Sequence, residues 1–192
     1  MSPAEPTSDL DRVPAVPVDA VLALGANLGD AAATVAQAVR ELRNTPGLEV
    51  TGVSPAARTR PVGGPEGQPD YVNLVLTVTT RLSPAALLAV GQGIEQAHHR
   101  TREVRWGPRT LDIDLITYGE TTSADPVLTL PHPRAHTRAF VLAPWSWLEP
   151  EATLSGERVA DLAAQADDAG SVTRVPGGPD AEDAEYAKGP GS

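Results

Sequence analysis

The stretch YVNLVLTVTT, residues 71–80, constrains the fold more than any other part of the chain. It is rich in β-branched residues and alternates cleanly, the period-two pattern of a strand. Such a strand cannot stand alone. Its backbone donors and acceptors need neighbouring strands, and its apolar side chains need a covering layer. Three other segments can supply partners: DAVLALG (19–25), an apolar run ending in glycine; LEVTGVSPAAR (48–58), which alternates; and TLDIDLITYG (110–119).

Helical spacing fills two of the gaps. In DAAATVAQAVRELRNTPG, Asp30 is placed to cap a helix whose apolar side is Val35, Ala38, Val39 and Leu42, and Pro46-Gly47 ends it. In SPAALLAVGQGIEQAHHR, Ser83 is the cap and Pro84 the first helical residue. TRPVGGPEGQPD (59–70) and HRTREVRWGPR are loops. The order β-α-β-β-α-β is the α+β, ferredoxin-like pattern, an antiparallel sheet with two helices on one face. A C-terminal extension, PVLTLPHPRAHTRAFVLAPWSWLEPE, is broken by prolines and is expected to wrap the sheet edge and end in a short helix near 157–166. Residues 1–17 and 171–192, rich in Pro, Gly and acidic residues, are expected to be disordered tails. That leaves 18–170 as one domain, in keeping with 192 residues in all.

Composition narrows the function. With no cysteine, disulfides, thiolate metal sites and cysteine nucleophiles are excluded. No apolar run approaches the roughly 20 residues of a membrane span, and the N-terminus lacks a basic-then-apolar signal, so a cytoplasmic protein is expected. The net charge of −10 argues against binding nucleic acid by phosphate neutralisation. The charge is uneven, however. Arg100, Arg102, Arg105 and Arg109 face only Glu103 in residues 100–109, a basic patch on an acidic chain. A small anionic ligand suits it better than a polyanion.

RWGPRTLDIDLITYG (105–119) sets Asp112 and Asp114 into that last strand. Residues two apart share a face and lie roughly 7 Å from each other, so Asp112 and Asp114 point one way and Leu111, Ile113 and Leu115 the other. Two ionised carboxylates so placed repel unless a cation lies between them. Hard oxygen donors suit Mg²⁺, whose shell is completed by water and phosphate oxygens; zinc-type spacing of histidines is missing. The arginines upstream suit the same phosphate chain. GANLGD (25–30) lacks the G-K-[ST] of a P-loop and reads as a tight turn.

RWGPRTLDIDLITYG resembles the signature of the 6-hydroxymethyl-7,8-dihydropterin pyrophosphokinases. ALGANLGD, RTRPVGGPEGQPDYVNLVL and LTLPHPRAHTRAFVLAPWSWLEPE are similar to further segments of that family, in order from about Val21 to Glu151. The resemblance implies transfer of pyrophosphate from ATP to the 6-hydroxymethyl group of the dihydropterin, giving AMP, in folate biosynthesis. It implies two Mg²⁺ ions on Asp112 and Asp114, and catalytic arginines at Arg100 and Arg109. A pterin pocket falls on Thr59, Val62, Tyr71, Asn73, Trp106 and Phe140. ATP contacts fall on Gln92, Glu95, Arg100, Arg102, Arg105, Arg109, Leu115, Thr129, His132 and Arg138. The chain departs from the common family pattern at Ala26, Arg60, Val127 and Pro133. His98 and His99 match no family motif and read as exposed. No side chain stands out as general base. The two loops are expected to act as lids that exclude water.

Two rivals differ in class. A ligand-sensing ferredoxin-like module without turnover leaves the aspartate pair unexplained. An RNA-recognition domain needs exposed aromatics on its central strands and a basic sheet face; YVNLVLTVTT offers one tyrosine, and the chain is acidic. The expected partners are therefore ATP and the pterin, with neither nucleic acid nor membrane, and a monomer satisfies every feature.

Overall fold

The computed structural model describes residues 9–61, 67–98 and 110–176. In chain order these form β1 (Val18–Ala26), α1 (Ala31–Arg43), β2 (Leu48–Val53), β3 (Ala57–Thr59), β4 (Tyr71–Thr80), α2 (Pro84–Ala97) and β5 (Asp112–Tyr118). The C-terminal part adds β6 (Ser123–Ala124), β7 (Thr129–Leu130), α3 (Ala139–Leu148), β8 (Thr153–Leu154), β9 (Glu157–Arg158), α4 (Val159–Gln165) and β10 (Val172–Arg174). The main sheet is antiparallel, in the order β10-β3-β4-β1-β5, with β2 also paired to β4.

β4 is the long strand that organises the sheet. One of its edges pairs with β1 along its whole length; the other is shared by β2 and β3. Residues 48–58, expected as one strand, are split because Pro55 has no N–H to give a ladder. Ser54 bridges the break. Its N–H donates to the Val75 carbonyl at 2.9 Å, and its Oγ accepts from the Val75 N–H at 2.9 Å. The ladder therefore passes through a side chain for one residue and resumes as β3.

Both expected helices form with the expected caps. Asp30 Oδ1 accepts from the Ala33 N–H at 3.0 Å and Ser83 Oγ from the Ala86 N–H at 3.2 Å. They cover one face, where Leu22, Leu24, Leu74, Leu76, Ile113 and Leu115 meet Val35, Val39, Leu42 and Leu87. Gly91 lets α2 approach β5 closely, since a Cβ there would stand 3.2 Å from Ile113 Cγ2. His98 is not an exposed histidine: its Nε2 lies 3.1 Å from Glu41 Oε1 and ties the end of α2 to α1.

The first part of the C-terminal extension runs along the sheet edge as expected: the His132 N–H donates to the Ile116 carbonyl of β5 at 2.8 Å, and Leu128 and Leu130 join the first core. The rest covers the second face, where Val21, Ala23, Val75 and Ile116 pack against Val141, Leu142 and Trp145 of α3 and Val159 and Leu162 of α4. Proline pattern hid α3, because Pro144 lies inside it. A proline there removes one intrahelical bond; burial of Val141, Leu142 and Trp145 outweighs that loss. The short helix near 157–166 is present as α4. The ends also differ from expectation. Leu10, in a 3-10 turn at Asp9–Asp11, is buried in the first core, and β10 extends the sheet by pairing with β3 within the segment expected to be a tail.

Leu142 is fully buried between α3 and the sheet. Leu142→Ala is expected to lower unfolding stability by about 2–5 kcal/mol in urea or guanidinium titrations, as a cavity left in a packed core does. A loss below about 1 kcal/mol would mean that α3 does not close this face.

Candidate active site

One cavity of about 350 Å³ opens on the second face of the sheet, beside α3. Its origin is in the register. Asn73 of β4 stands opposite Gly25 of β1, and Gly25 opposite Asp112 of β5; one step along, Ala23 stands opposite Asp114. Paired residues share a face. The row therefore places a glycine and an alanine between an amide and two carboxylates, and the lack of bulk at positions 23 and 25 leaves the space. Thr59 and Tyr71, paired across β3 and β4, line the side away from the carboxylates. Thr137, Arg138, Phe140 and Val141 close the top.

Asn73 is buried and held. Its Nδ2 donates to Thr59 Oγ1 at 2.9 Å, and a Cβ at Gly25 would come within 2.6 Å of its Oδ1. Glycine at 25 is thus required by close approach, not by an unusual backbone. The buried amide keeps polar groups toward the cavity, next to the half-exposed ring of Tyr71. On the opposite wall, Arg138 Nη1 is 3.6 Å from Asp114 Oδ2, and its guanidinium carbon is 5.5 Å from the centre of the Phe140 ring. Arg138 and Phe140 flank the first residue of α3, Ala139, whose N–H is taken by Asp168 Oδ1 at 2.8 Å. A carboxylate from beyond α4 thereby fixes the end of the helix that carries both side chains.

His132 lies beside the carboxylates, its Nε2 3.9 Å from Asp114 Oδ2. That separation is too long for a hydrogen bond. Burial, then the positive charge of Arg138, push its pKa down to about 4, against the raising pull of Asp112 and with a further lowering by Arg134. The ring is therefore neutral at neutral pH. Its Nδ1 accepts from the Arg134 N–H at 3.2 Å, which leaves the ring proton on Nε2, facing the carboxylates.

The sequence-expected residues divide by location. Thr59, Tyr71, Asn73, Asp112, Asp114, Arg138 and Phe140 line this cavity, and His132 adjoins it. Leu115 points to the other face and is buried in the core with α1 and α2, so only its backbone is left for a nucleotide. Glu95, also buried on that side, accepts from the Ile113 N–H at 2.7 Å, supporting the strand between the two aspartates. Gln92 is exposed on α2. Thr129, on the β6–β7 hairpin, donates its hydroxyl to the Asp125 carbonyl at 3.0 Å. Val62, Arg100, Arg102, Arg105, Trp106 and Arg109 lie outside the described residues, as do residues 62–66 of the first expected lid and 99–109 of the second. Sequence reading missed Gly25 and Ala23, whose only signal is small size at strand positions, and Arg60, Arg134, Asp167 and Asp168, which also line the cavity.

A family model described as 7,8-dihydro-6-hydroxymethylpterin-pyrophosphokinase (HPPK) matches residues 21–150. The 2-amino-4-hydroxy-6-hydroxymethyldihydropteridine pyrophosphokinase of Methylorubrum extorquens is 42% identical over 156 residues, which are 81% of this chain and 98% of the relative. The protein of the same description from Synechocystis sp. is 39% identical over 172 residues, covering 87% and 84%. Among solved structures, wild-type Plasmodium falciparum HPPK-DHPS with pteroate superposes with a TM-score of 0.63 at 12% identity. That match covers 82% of this chain and 48% of the other, and at such identity it speaks for the fold alone.

Two outcomes follow from this geometry. Gly25→Ala is expected to displace the Asn73 amide, reduce turnover about tenfold or more through loss of buried hydrogen bonding, and lower the melting temperature by a few degrees; unchanged kinetics would show that the amide can yield freely. For His132, an NMR titration of the ring is expected to have its midpoint near 4. Because the folded pKa is lowered, this histidine withdraws stability as pH falls from about 6.5 towards 4 and not above that window. A midpoint above 6 would contradict the neutral ring.

Proposed function

The chain belongs to the 7,8-dihydro-6-hydroxymethylpterin-pyrophosphokinase family, and from that premise we propose that the cavity over β1 is the place where its reaction occurs. The protein is an ATP-dependent diphosphotransferase of folate biosynthesis: it moves pyrophosphate from ATP to the hydroxymethyl group of the dihydropterin and releases AMP. The observation that supports this reading of the site is the single row Asn73, Gly25, Asp112, with a buried amide at one end of the cavity, suited to the pterin, and a carboxylate at the other, suited to metal-bound phosphate.

At the amide end, a flat pterin lies with its polar edge towards Asn73 and Thr59 and its faces near Tyr71 and Phe140. The hydroxymethyl group then points along the row towards Asp112 and Asp114. Its oxygen attacks the β-phosphorus in line and its proton is lost to water; the new O–P bond replaces the bond to the bridging oxygen, which leaves with AMP. Arg138 lies beside Asp114 and offers a guanidinium to the phosphates, and neutral His132 offers an N–H without adding charge. Arg100 and Arg109 are assigned the role of stabilising the leaving group on the strength of the family motif.

Mg²⁺ fits the donor set. Asp112 and Asp114 lie side by side on the β5 wall of the cavity, Asp167 and Asp168 line it from beyond α4, and among the described residues there is no group of three or more His, Cys, Asp or Glu side chains able to hold a metal. Two hard donors leave most of an octahedral shell to water and phosphate oxygens, the usual arrangement for Mg²⁺ with a nucleotide. When bound there, the ion neutralises and aligns phosphate oxygens. We assign two such ions to Asp112 and Asp114. The strand order β5-β1-β4 followed by β2 and β3, with α1 and α2 on one face, supports a ferredoxin-like reading of the fold in which the second strand is broken and a C-terminal layer is added. Among the described residues no helix is long and apolar enough to cross a membrane.

Asp112→Ala and Asp114→Ala are each expected to lower AMP release from ATP, Mg²⁺ and reduced hydroxymethylpterin by roughly 100-fold or more. Near-wild-type AMP formation by either variant, with the fold intact by circular dichroism, would defeat the assignment.

A further inference from the structure

Arg60 lines the cavity immediately after β3, and its side chain is exposed. Among the described residues it makes no hydrogen bond or ion pair. The other two arginines of the cavity wall differ in this respect. Arg138 stands by Asp114, and the Arg134 N–H is held by His132 while its side chain bears on the same imidazole. The fold keeps Arg60 away from the aspartates. The row Ala57, Asn73, Gly25, Asp112 crosses from β3 to β5. That crossing is three strand spacings, roughly 14 Å between backbones. Arg60 lies further along the chain than Ala57, beyond Thr59, at the amide end.

Position decides which substrate this guanidinium serves. ATP phosphates belong at the carboxylate end. The amide end holds Thr59, Asn73 and Tyr71, and there the pterin presents ring nitrogens and a carbonyl oxygen that accept hydrogen bonds. Asn73 has one N–H committed to Thr59, which leaves its second N–H and the Thr59 hydroxyl as the neutral side-chain donors of these two residues. An arginine supplies five in a planar fork and also stacks on flat rings. We infer that Arg60 is a specificity-determining residue for the pterin, engaging the carbonyl-bearing side of its ring. The inference rests on placing the pterin over Asn73.

Among the described residues Arg60 has no intramolecular partner, so removing its side chain breaks no hydrogen bond or ion pair there, and the melting temperature checks the rest of the fold. Binding of reduced hydroxymethylpterin and, separately, of α,β-methylene-ATP with Mg²⁺ is measured by calorimetry for wild type, Arg60→Ala and Arg60→Lys, alongside melting temperature. The expected result is pterin affinity weakened roughly tenfold in Arg60→Ala and less in Arg60→Lys, with the nucleotide affinity within about twofold of wild type and the melting temperature unchanged. A 4-amino analogue of the pterin, which carries a donor in place of the carbonyl, is expected to lose little affinity in Arg60→Ala. Unchanged pterin affinity in Arg60→Ala, or a loss confined to the nucleotide, overturns the role of Arg60 while wild-type turnover leaves the site assignment standing. A wild-type protein that neither binds nor turns over the pterin removes the site assignment, and the inference with it.

Discussion

The pairing of β1 with β4 on one side and β5 on the other is the constraint on which everything else depends. Strand register is discrete, and a slip of one residue moves every side chain to the other face. In the observed register, Leu22, Leu24, Leu74, Leu76 and Leu115 go to one core while Asn73, Gly25, Asp112 and Asp114 gather on the other face. The two demands reinforce each other. The same alternation that buries leucines under α1 and α2 presents the amide and the carboxylates to the cavity, so the apolar core specifies the polar site.

The second face is where packing becomes chemistry. Val21, Ala23, Val75 and Ile116 are apolar enough to require a cover, and α3 and α4 supply one. The cover stops short of the row that ends at Asp112, and the gap is the cavity. Its edge is set by a few directed contacts, chief among them Asp168 on the Ala139 N–H, which fixes Arg138 and Phe140 over the gap. On the other side, Arg174 of β10 lies 5.5 Å from the Trp147 ring of α3, joining the sheet edge to the same helix. Charge is likewise arranged by position. Burial and two nearby arginines hold His132 neutral, so among the described residues Asp114 has the Arg138 guanidinium and an uncharged N–H donor beside it.

Much of this was legible in the residues. Alternation in residues 71–80 and the caps Asp30 and Ser83 gave the central strand and both helices of the first layer. The spacing of Asp112 and Asp114 gave a shared face, and motif resemblance named Thr59, Tyr71, Asn73 and Phe140, which the structure gathers from three elements. The misses have physical causes. Pro144 disguised α3, since a helix interior rarely tolerates proline unless burial compensates. Leu115 and Glu95 lie near the site in sequence or in the family motif, but the pleat and the course of α2 put their side chains behind the sheet.

By itself, then, the sequence determined the elements and their polarity, because helix caps, turn residues and the two periodicities are local properties of the chain. It also determined that two carboxylates share a face. Only tertiary structure decided that this face is covered by the C-terminal layer, that Gly25 and Ala23 open a space between Asn73 and the aspartates, and that Arg60 borders that space with no ion-pair partner among the described residues. Such facts depend on which strands become neighbours and in what register, and those are settled by the burial of the whole core and by no single segment.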